Sequence, residues 1–282
     1  MNLTATDSPA LRAKAPSRFR VNGLDINVVI EGDGPPVLLV HGFPDDHQVW
    51  RKQIPALVAA GYKVIAPDMR GCGDSDAPVG TRHYKIDLLV ADLVALLDVL
   101  GIGRVRLVAH DWGAAIAWAF ALRHAERVDR YAALSVGHPT AYARGGIEQK
   151  LKGWYIVFLQ LRGLAEWTLR FRGWRVFRAV TRYPDEASKW VARLSRPGRL
   201  TAAINYYRAN LGMVIPKQLP SVPVPVMGVW SSGDAFLTES QMVDSSQYVS
   251  APFRYERVDG ANHWLQLTAP DRVNALLLDF LR

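Results

Sequence analysis

Residues 105–122 constrain the fold more tightly than any other stretch. An apolar run at 105–108 passes into Ala109-His110-Asp111-Trp112-Gly113, and an alanine-rich run at 114–122 follows. Strand, sharp turn and helix in that order predict an elbow, a strained bend that lifts one side chain clear of a buried parallel sheet. Small residues flank such a bend because strand and helix backbones close on each other there; Ala109 and Gly113 fill those places. The lifted residue is Asp111. A carboxylate is ionised at neutral pH and needs no base to become a nucleophile. An Asp at this point therefore suits attack on an electrophilic sp3 carbon, with formation of an ester. A plain helix N-cap would also accept Asp, and the surrounding chain decides between the two.

Upstream, residues 19–21 and 26–30 are short β-type runs around Asn22-Gly23, a hairpin signal. Continuous apolar runs at 36–40 and 63–66 read as buried strands, and residues 49–60 and 86–100 as helices closed by Gly61 and Gly101. A further strand is expected at 128–136. Alternating buried strands and helices predict an α/β fold with a mostly parallel, doubly wound sheet. The alternation stops after His138-Pro139 and resumes at Val224. Residues 139–220 are accordingly expected to form an inserted helical cap, with 1–138 and 221–282 as the core. At 282 residues, 49% hydrophobic and 21% charged, the chain has the size and balance for that arrangement.

The net charge of +8 is unevenly spread. Residues 139–220 hold 11 Arg and 4 Lys against 4 acidic residues, together with four of the nine Trp. Basic patches suit nucleic acid or membranes. Here the arginines are interleaved with Trp and Leu rather than forming a block, which reads as a solvated helical face, with neither nucleic acid nor membrane as partner. A single cysteine, Cys72, excludes an internal disulfide. Residues 1–20 lack the apolar core of a secretory leader, and no run of 18 apolar residues occurs, so a cytoplasmic protein is expected.

In open α/β sheets ligands collect at the carboxyl ends of the strands. Three chemically capable residues fall at such ends. Asp111 follows one strand; Asp234 follows another, in Ser231-Ser232-Gly233-Asp234; His263 follows residues 253–258, in Gly260-Ala261-Asn262-His263-Trp264. The order nucleophile, acid, histidine assigns His263 as a base and Asp234 as the group that fixes its tautomer. Among the other histidines, His47, His83 and His124 lie in loops or helix ends, and His110 adjoins the nucleophile and cannot easily face it.

In these segments the chain resembles the α/β-hydrolase family and, within it, the epoxide hydrolases, from about residue 19 to 281. The matching pieces are His41-Gly42-Phe43-Pro44, the Asp-rich loop 68–78, His110-Asp111-Trp112-Gly113, Gly233-Asp234 and His263-Trp264. Ala109 departs from the usual Gly at the elbow, a small change. The resemblance implies two cap tyrosines that bind the epoxide oxygen. One is Tyr155, in Trp154-Tyr155-Ile156-Val157-Phe158; the other is Tyr207, in Asn205-Tyr206-Tyr207-Arg208, with Tyr206 as the competing choice. It also implies an oxyanion hole from the backbone N–H groups of Phe43 and Trp112, and a cis bond before Pro44. Phe43, Trp112, Trp154, Phe158, Tyr206 and Trp264 are expected to line an apolar, aromatic substrate pocket.

The expected reaction is hydrolysis of a small epoxide to a vicinal diol through an Asp111 ester. No cofactor is implied, no metal-ligand spacing or nucleotide-binding loop is evident, and a monomer or homodimer is expected. Haloalkane dehalogenases share the Asp elbow and need two halide donors, often an Asn directly after His-Gly plus a Trp; Phe43 stands at the first position, although Trp112 is present. Haloacid (fluoroacetate) dehalogenases carry Arg after the nucleophile, where Trp112 stands. A non-catalytic ligand-binding protein on the same fold is the alternative of another class.

Overall fold

The structure is a computed structural model and describes residues 16–282. Eight strands form one sheet: β1 (Ser17–Val21), β2 (Leu24–Glu31), β3 (Pro36–Val40), β4 (Lys63–Pro67), β5 (Val105–His110), β6 (Val128–Leu134), β7 (Val226–Gly233) and β8 (Phe253–Asn262), in the order β1-β2-β4-β3-β5-β6-β7-β8. β1 and β2 form the hairpin and join β4 antiparallel; every other pairing is parallel. The apolar runs of β3 to β6 are buried because helices cover both faces of the sheet. Along β3 the faces alternate: Val37 and Leu39 belong to one core, Leu38 and Val40 to the other.

Helices α1 (Gln53–Ala59), α2 (Ile86–Val99) and α3 (Trp112–Arg123) follow β3, β4 and β5. The helix expected over 49–60 is shorter. His47–Trp50 forms a 3-10 turn, and α1 starts at Gln53. Pro55 explains this: lacking an N–H, it fits only the first turn, where that donor has no helical partner.

Between β6 and β7 the described residues contain no strand. They form α4 (Pro139–Arg144), α5 (Ile147–Lys152), α6 (Trp154–Phe158), α7 (Leu164–Thr181), α8 (Pro184–Leu194) and α9 (Arg199–Ala209). α7 is interrupted at Phe171–Trp174, where the backbone leaves helical angles. After β7 come α10 (Glu239–Val243), and after β8 α11 (Leu265–Thr268) and α12 (Pro270–Phe280). Because β3, β5, β7 and β8 run parallel, residues 41–46, 111, 234 and 263 emerge at one edge of the sheet. Among the described residues no helix is long and apolar enough to cross a membrane.

Candidate active site

The elbow is built by close approach. Asp111 has φ 53° and ψ −124°, a backbone conformation that L residues rarely adopt. A Cβ on Gly113 would collide with the carbonyl oxygens of Val40 and His41, and one on Gly42 with the Asp111 carboxylate. With those contacts open, the Phe43 N–H donates to Asp111 Oδ1 at 2.7 Å, and the Trp112 N–H also favours the charged carboxylate. Phe43–Pro44 is cis.

Three ionisable groups converge. His263 Nε2 lies 3.5 Å from Asp111 Oδ2, and its Nδ1 lies 2.8 Å from Asp234 Oδ2. Asp234 Oδ1 is held by the N–H groups of Phe236 and Leu237 at 2.8 and 3.0 Å, so the acid cannot swing away. Burial alone would raise the Asp111 carboxyl, but the hydrogen bond and charge of His263 hold it below the usual carboxylate value. Burial would likewise lower His263; the two carboxylates, Asp234 foremost, outweigh it and raise the imidazole to about 10. The resting arrangement is thus carboxylate, imidazolium, carboxylate. His110 is fully buried, its imidazole pushed down to about 3 by burial and by the nearby His263, and its Nε2 meets the His263 carbonyl at 2.9 Å. It braces the histidine loop from beneath.

Tyr155 on α6 and Tyr207 on α9 line the same cavities as Asp111. Their rings lie 5.8 Å apart, and the Tyr207 ring packs edge-on to Phe43 and Trp112 at 5.6 and 5.1 Å. Arg208 fixes this spacing: it donates to the Leu159 carbonyl just past α6 and pairs with Glu166 of α7 at 2.7 Å. Burial raises both phenols well above their usual pKa, and the Asp111 charge adds to the effect.

Two apolar chambers meet at these groups. One, of about 300 Å³, is lined by Phe43, Trp154, Phe158, Phe236 and Trp264 as well as Asp111, Tyr155, Tyr207 and His263. The other, about 80 Å³, is lined by Trp112, Tyr142, Met213 and Leu237 with Asp111, Tyr155 and Tyr207. Tyr206 lines neither, a correction to its expected place in the pocket. Adjacent helical residues point different ways, and here the Tyr206 hydroxyl turns to the Arg70 carbonyl at 2.7 Å while its ring packs on Tyr84.

Sequence reasoning missed several neighbours. Tyr142, whose phenol burial pushes up to about 12, joins the smaller chamber from α4. Asp45 is buried and accepts from Trp190 Nε1 at 2.7 Å and Trp264 Nε1 at 2.9 Å, tying α8 to the sheet; burial raises its carboxyl to about 7 despite both indoles. Nothing local marks such a partner, because Trp190 lies far along the chain. The fold also gathers Asp46, His47 and Asp68, with potential ligand atoms within 4.8 Å of one another, which spacing in the sequence conceals. These groups already have protein partners. Asp68 accepts from Asn27, His47 and the Asp74 N–H, and Asp46 pairs with Arg193.

Residues 35–270 match the α/β hydrolase fold family. The chain is similar to epoxide hydrolase 3 of Xenopus tropicalis, 35% identical over 94% of this chain and 77% of that protein. It is similar also to epoxide hydrolase A of Mycobacterium tuberculosis, 33% identical over 92% and 95%. The crystal structure of epoxide hydrolase A from Mycobacterium thermoresistibile superposes with a TM-score of 0.82 at 31% identity, covering 95% of this chain and 98% of that one. Matched along nearly its whole length in both sequence and fold, the chain belongs to the epoxide hydrolase family of the α/β-hydrolase fold.

Proposed function

We propose that this protein hydrolyses epoxides to vicinal diols through an ester on Asp111, with residues 139–220 acting as a cap that supplies the oxygen-binding phenols. The observation that carries the reading is the opposition of one unprotonated carboxylate and two phenols across a single apolar cavity, with an imidazole 3.5 Å from the carboxylate. Asp111 Oδ1 is engaged by the Phe43 N–H, which leaves Oδ2 to attack an epoxide carbon. As the C–O bond opens, Tyr155 and Tyr207 donate hydrogen bonds to the departing oxygen, and the proton held by His263 passes to it, leaving a hydroxyl and a neutral imidazole. His263, oriented by Asp234, then takes a proton from water, and the hydroxide adds to the Asp111 ester carbon. Oδ1 carries the developing negative charge against the N–H groups of Phe43 and Trp112. Collapse returns the carboxylate and releases the diol.

The aromatic walls favour apolar alkyl or aryl epoxides. Dehalogenation on the same nucleophile fits less well: the position after His41-Gly42 holds Phe43, which has no side-chain donor for halide, and paired phenols suit an alkoxide. A single turnover in oxygen-18 water tests the route. The label should enter the Asp111 carboxyl and leave the first diol unlabelled; label in the first diol alone would exclude the ester.

A further inference from the structure

Apolar side chains that face outward recur every three or four residues from 147 to 171: Ile147, Leu151, Trp154, Val157, Leu161, Leu164, Trp167 and Phe171. They run along α5, α6 and the first part of α7. Most are more than half exposed, including Ile147 at 78%, Val157 at 70% and Trp167 at 61%. Single exposed apolar residues need no explanation, but eight within the 25 residues 147–171 mark a segment that meets something apolar. The Trp167 and Phe171 rings lie 5.3 Å apart, so the stripe contains one aromatic pair, and Trp154 packs at 6.0 Å on the half-buried Phe158 of the chamber.

Cations flank it. Arg162, Arg170, Arg172 and Arg175 are exposed, and none is ion-paired with a carboxylate among the described residues. The Arg170 guanidinium lies over the Trp174 ring at 5.7 Å and that of Arg172 over Phe171 at 5.4 Å. Interleaved Trp, Phe and Leu with unpaired arginines is the chemistry of a surface that seats its rings at the acyl boundary and its charges among anionic headgroups. A second copy of the chain fits poorly, since a two-fold contact would press two sets of unpaired arginines together. Nucleic acid would use the arginines and leave the apolar stripe in water.

Against the expectation from the sequence of a solvated face without a membrane partner, we propose that the face formed by residues 147–171 docks onto an anionic lipid bilayer, as a peripheral contact rather than a span. The docking face has a further consequence that rests on the proposed epoxide chemistry. α6 and α7 carry the stripe and also line the larger chamber through Trp154, Phe158, Thr168 and Leu169. An apolar epoxide dissolved in the membrane would then reach the catalytic cavity without crossing bulk water.

Flotation of the full chain with vesicles tests this, using phosphatidylcholine alone and an equal mixture with phosphatidylglycerol. The protein should float with the mixed vesicles at low salt, far less with neutral ones, and come off as salt rises. The double variants Trp167→Ser with Phe171→Ser, and Arg170→Glu with Arg172→Glu, should each lower partitioning at least ~10-fold. Both should retain wild-type diol formation in lipid-free buffer, which shows that they fold and keeps the docking claim separate from the catalytic one. Absence of vesicle binding at low salt overturns the proposal, as does binding that neither variant weakens. Sedimentation as a dimer that Trp167→Ser with Phe171→Ser converts to monomer would also overturn it, by assigning the face to a second copy.

Discussion

Replacing His263 with Gln separates the two proposed chemical steps, and the structure sets the size of the effect on each. Gln can still donate to Asp234, whose other oxygen keeps its two backbone donors from Phe236 and Leu237, so the loop has reason to stay folded. Alkylation loses the charge-assisted partner that holds Asp111 ionised, and the opening oxygen must draw its proton from water instead of the imidazolium, but the N–H groups of Phe43 and Trp112 remain. A hydrogen bond to a charged group is worth roughly 1.5–3 kcal/mol, so this step should slow about 10- to 100-fold. Hydrolysis loses its general base outright, a loss of roughly 10² to 10⁴. The second step suffers more, and ester should build up to one equivalent per chain. Rapid quench of the variant with excess styrene-type epoxide, followed by intact mass and peptide mapping, reads this directly. The expected result is a mass gain of one substrate on the peptide carrying Asp111, with diol release nearly stopped. Continued diol release without any adduct would show that water attacks the epoxide directly and that Asp111 forms no bond to carbon.

The neighbouring tyrosines should part ways under the same substitution. Tyr207→Phe should cut diol formation about 10²-fold or more by removing a donor to the opening oxygen. Tyr206→Phe should leave turnover nearly intact and lower unfolding free energy by about 1–2 kcal/mol, because the buried Arg70 carbonyl loses its donor; kinetics and urea titration distinguish them. Thermal stability should depend on His263. Its folded pKa lies above its ordinary 6.5, at about 10, so its stabilising contribution is complete below pH 6.5 and lost as pH rises toward 10. Scanning calorimetry across that range should show a decline that His263→Gln flattens. Gly113→Ala should give insoluble or strongly destabilised protein in expression and melting assays, because its Cβ would meet two backbone carbonyls that cannot yield.

Strand ends made much of this site legible in the sequence. A parallel sheet sends the residues after its strands to one edge, so reading Asp111, Asp234 and His263 as strand-end residues already brings them near one another. What lay beyond reach depends on how elements rotate and dock. Tyr206 and Tyr207 are both buried, both aromatic and adjacent, and only the setting of α9 against the sheet puts one in the cavities that Asp111 lines and the other against Tyr84. The partnership of Asp45 with Trp190 and Trp264 joins three distant segments. Apolar periodicity in residues 147–171 says that a face is apolar, not what it meets; the same spacing serves a core-facing helix and a bare surface.

A histidine raised to about 10 is ill suited to act as a base in the resting site, yet the proposed cycle gives this protonation state a use. Opening an epoxide on Asp111 creates one alkoxide and requires one proton. The buried phenols hydrogen-bond that oxygen, but burial resists leaving either as a phenolate. The proton that closes the step is the one stored on His263, relayed through the phenols or a water. Ester formation also removes the negative charge of Asp111, one of the two carboxylates that raise the imidazole. Alkylation thus consumes the proton and weakens the support that held it, leaving a neutral imidazole beside the ester. Hydrolysis regenerates the carboxylate and a proton together, and both return to the resting pair. It follows that the rate of ester formation should fall as pH rises through the resting His263 pKa, whereas the rate of ester breakdown should fall toward acid with a lower apparent pKa. Stopped-flow traces of the two phases across pH would contradict this charge balance if both followed one common ionisation.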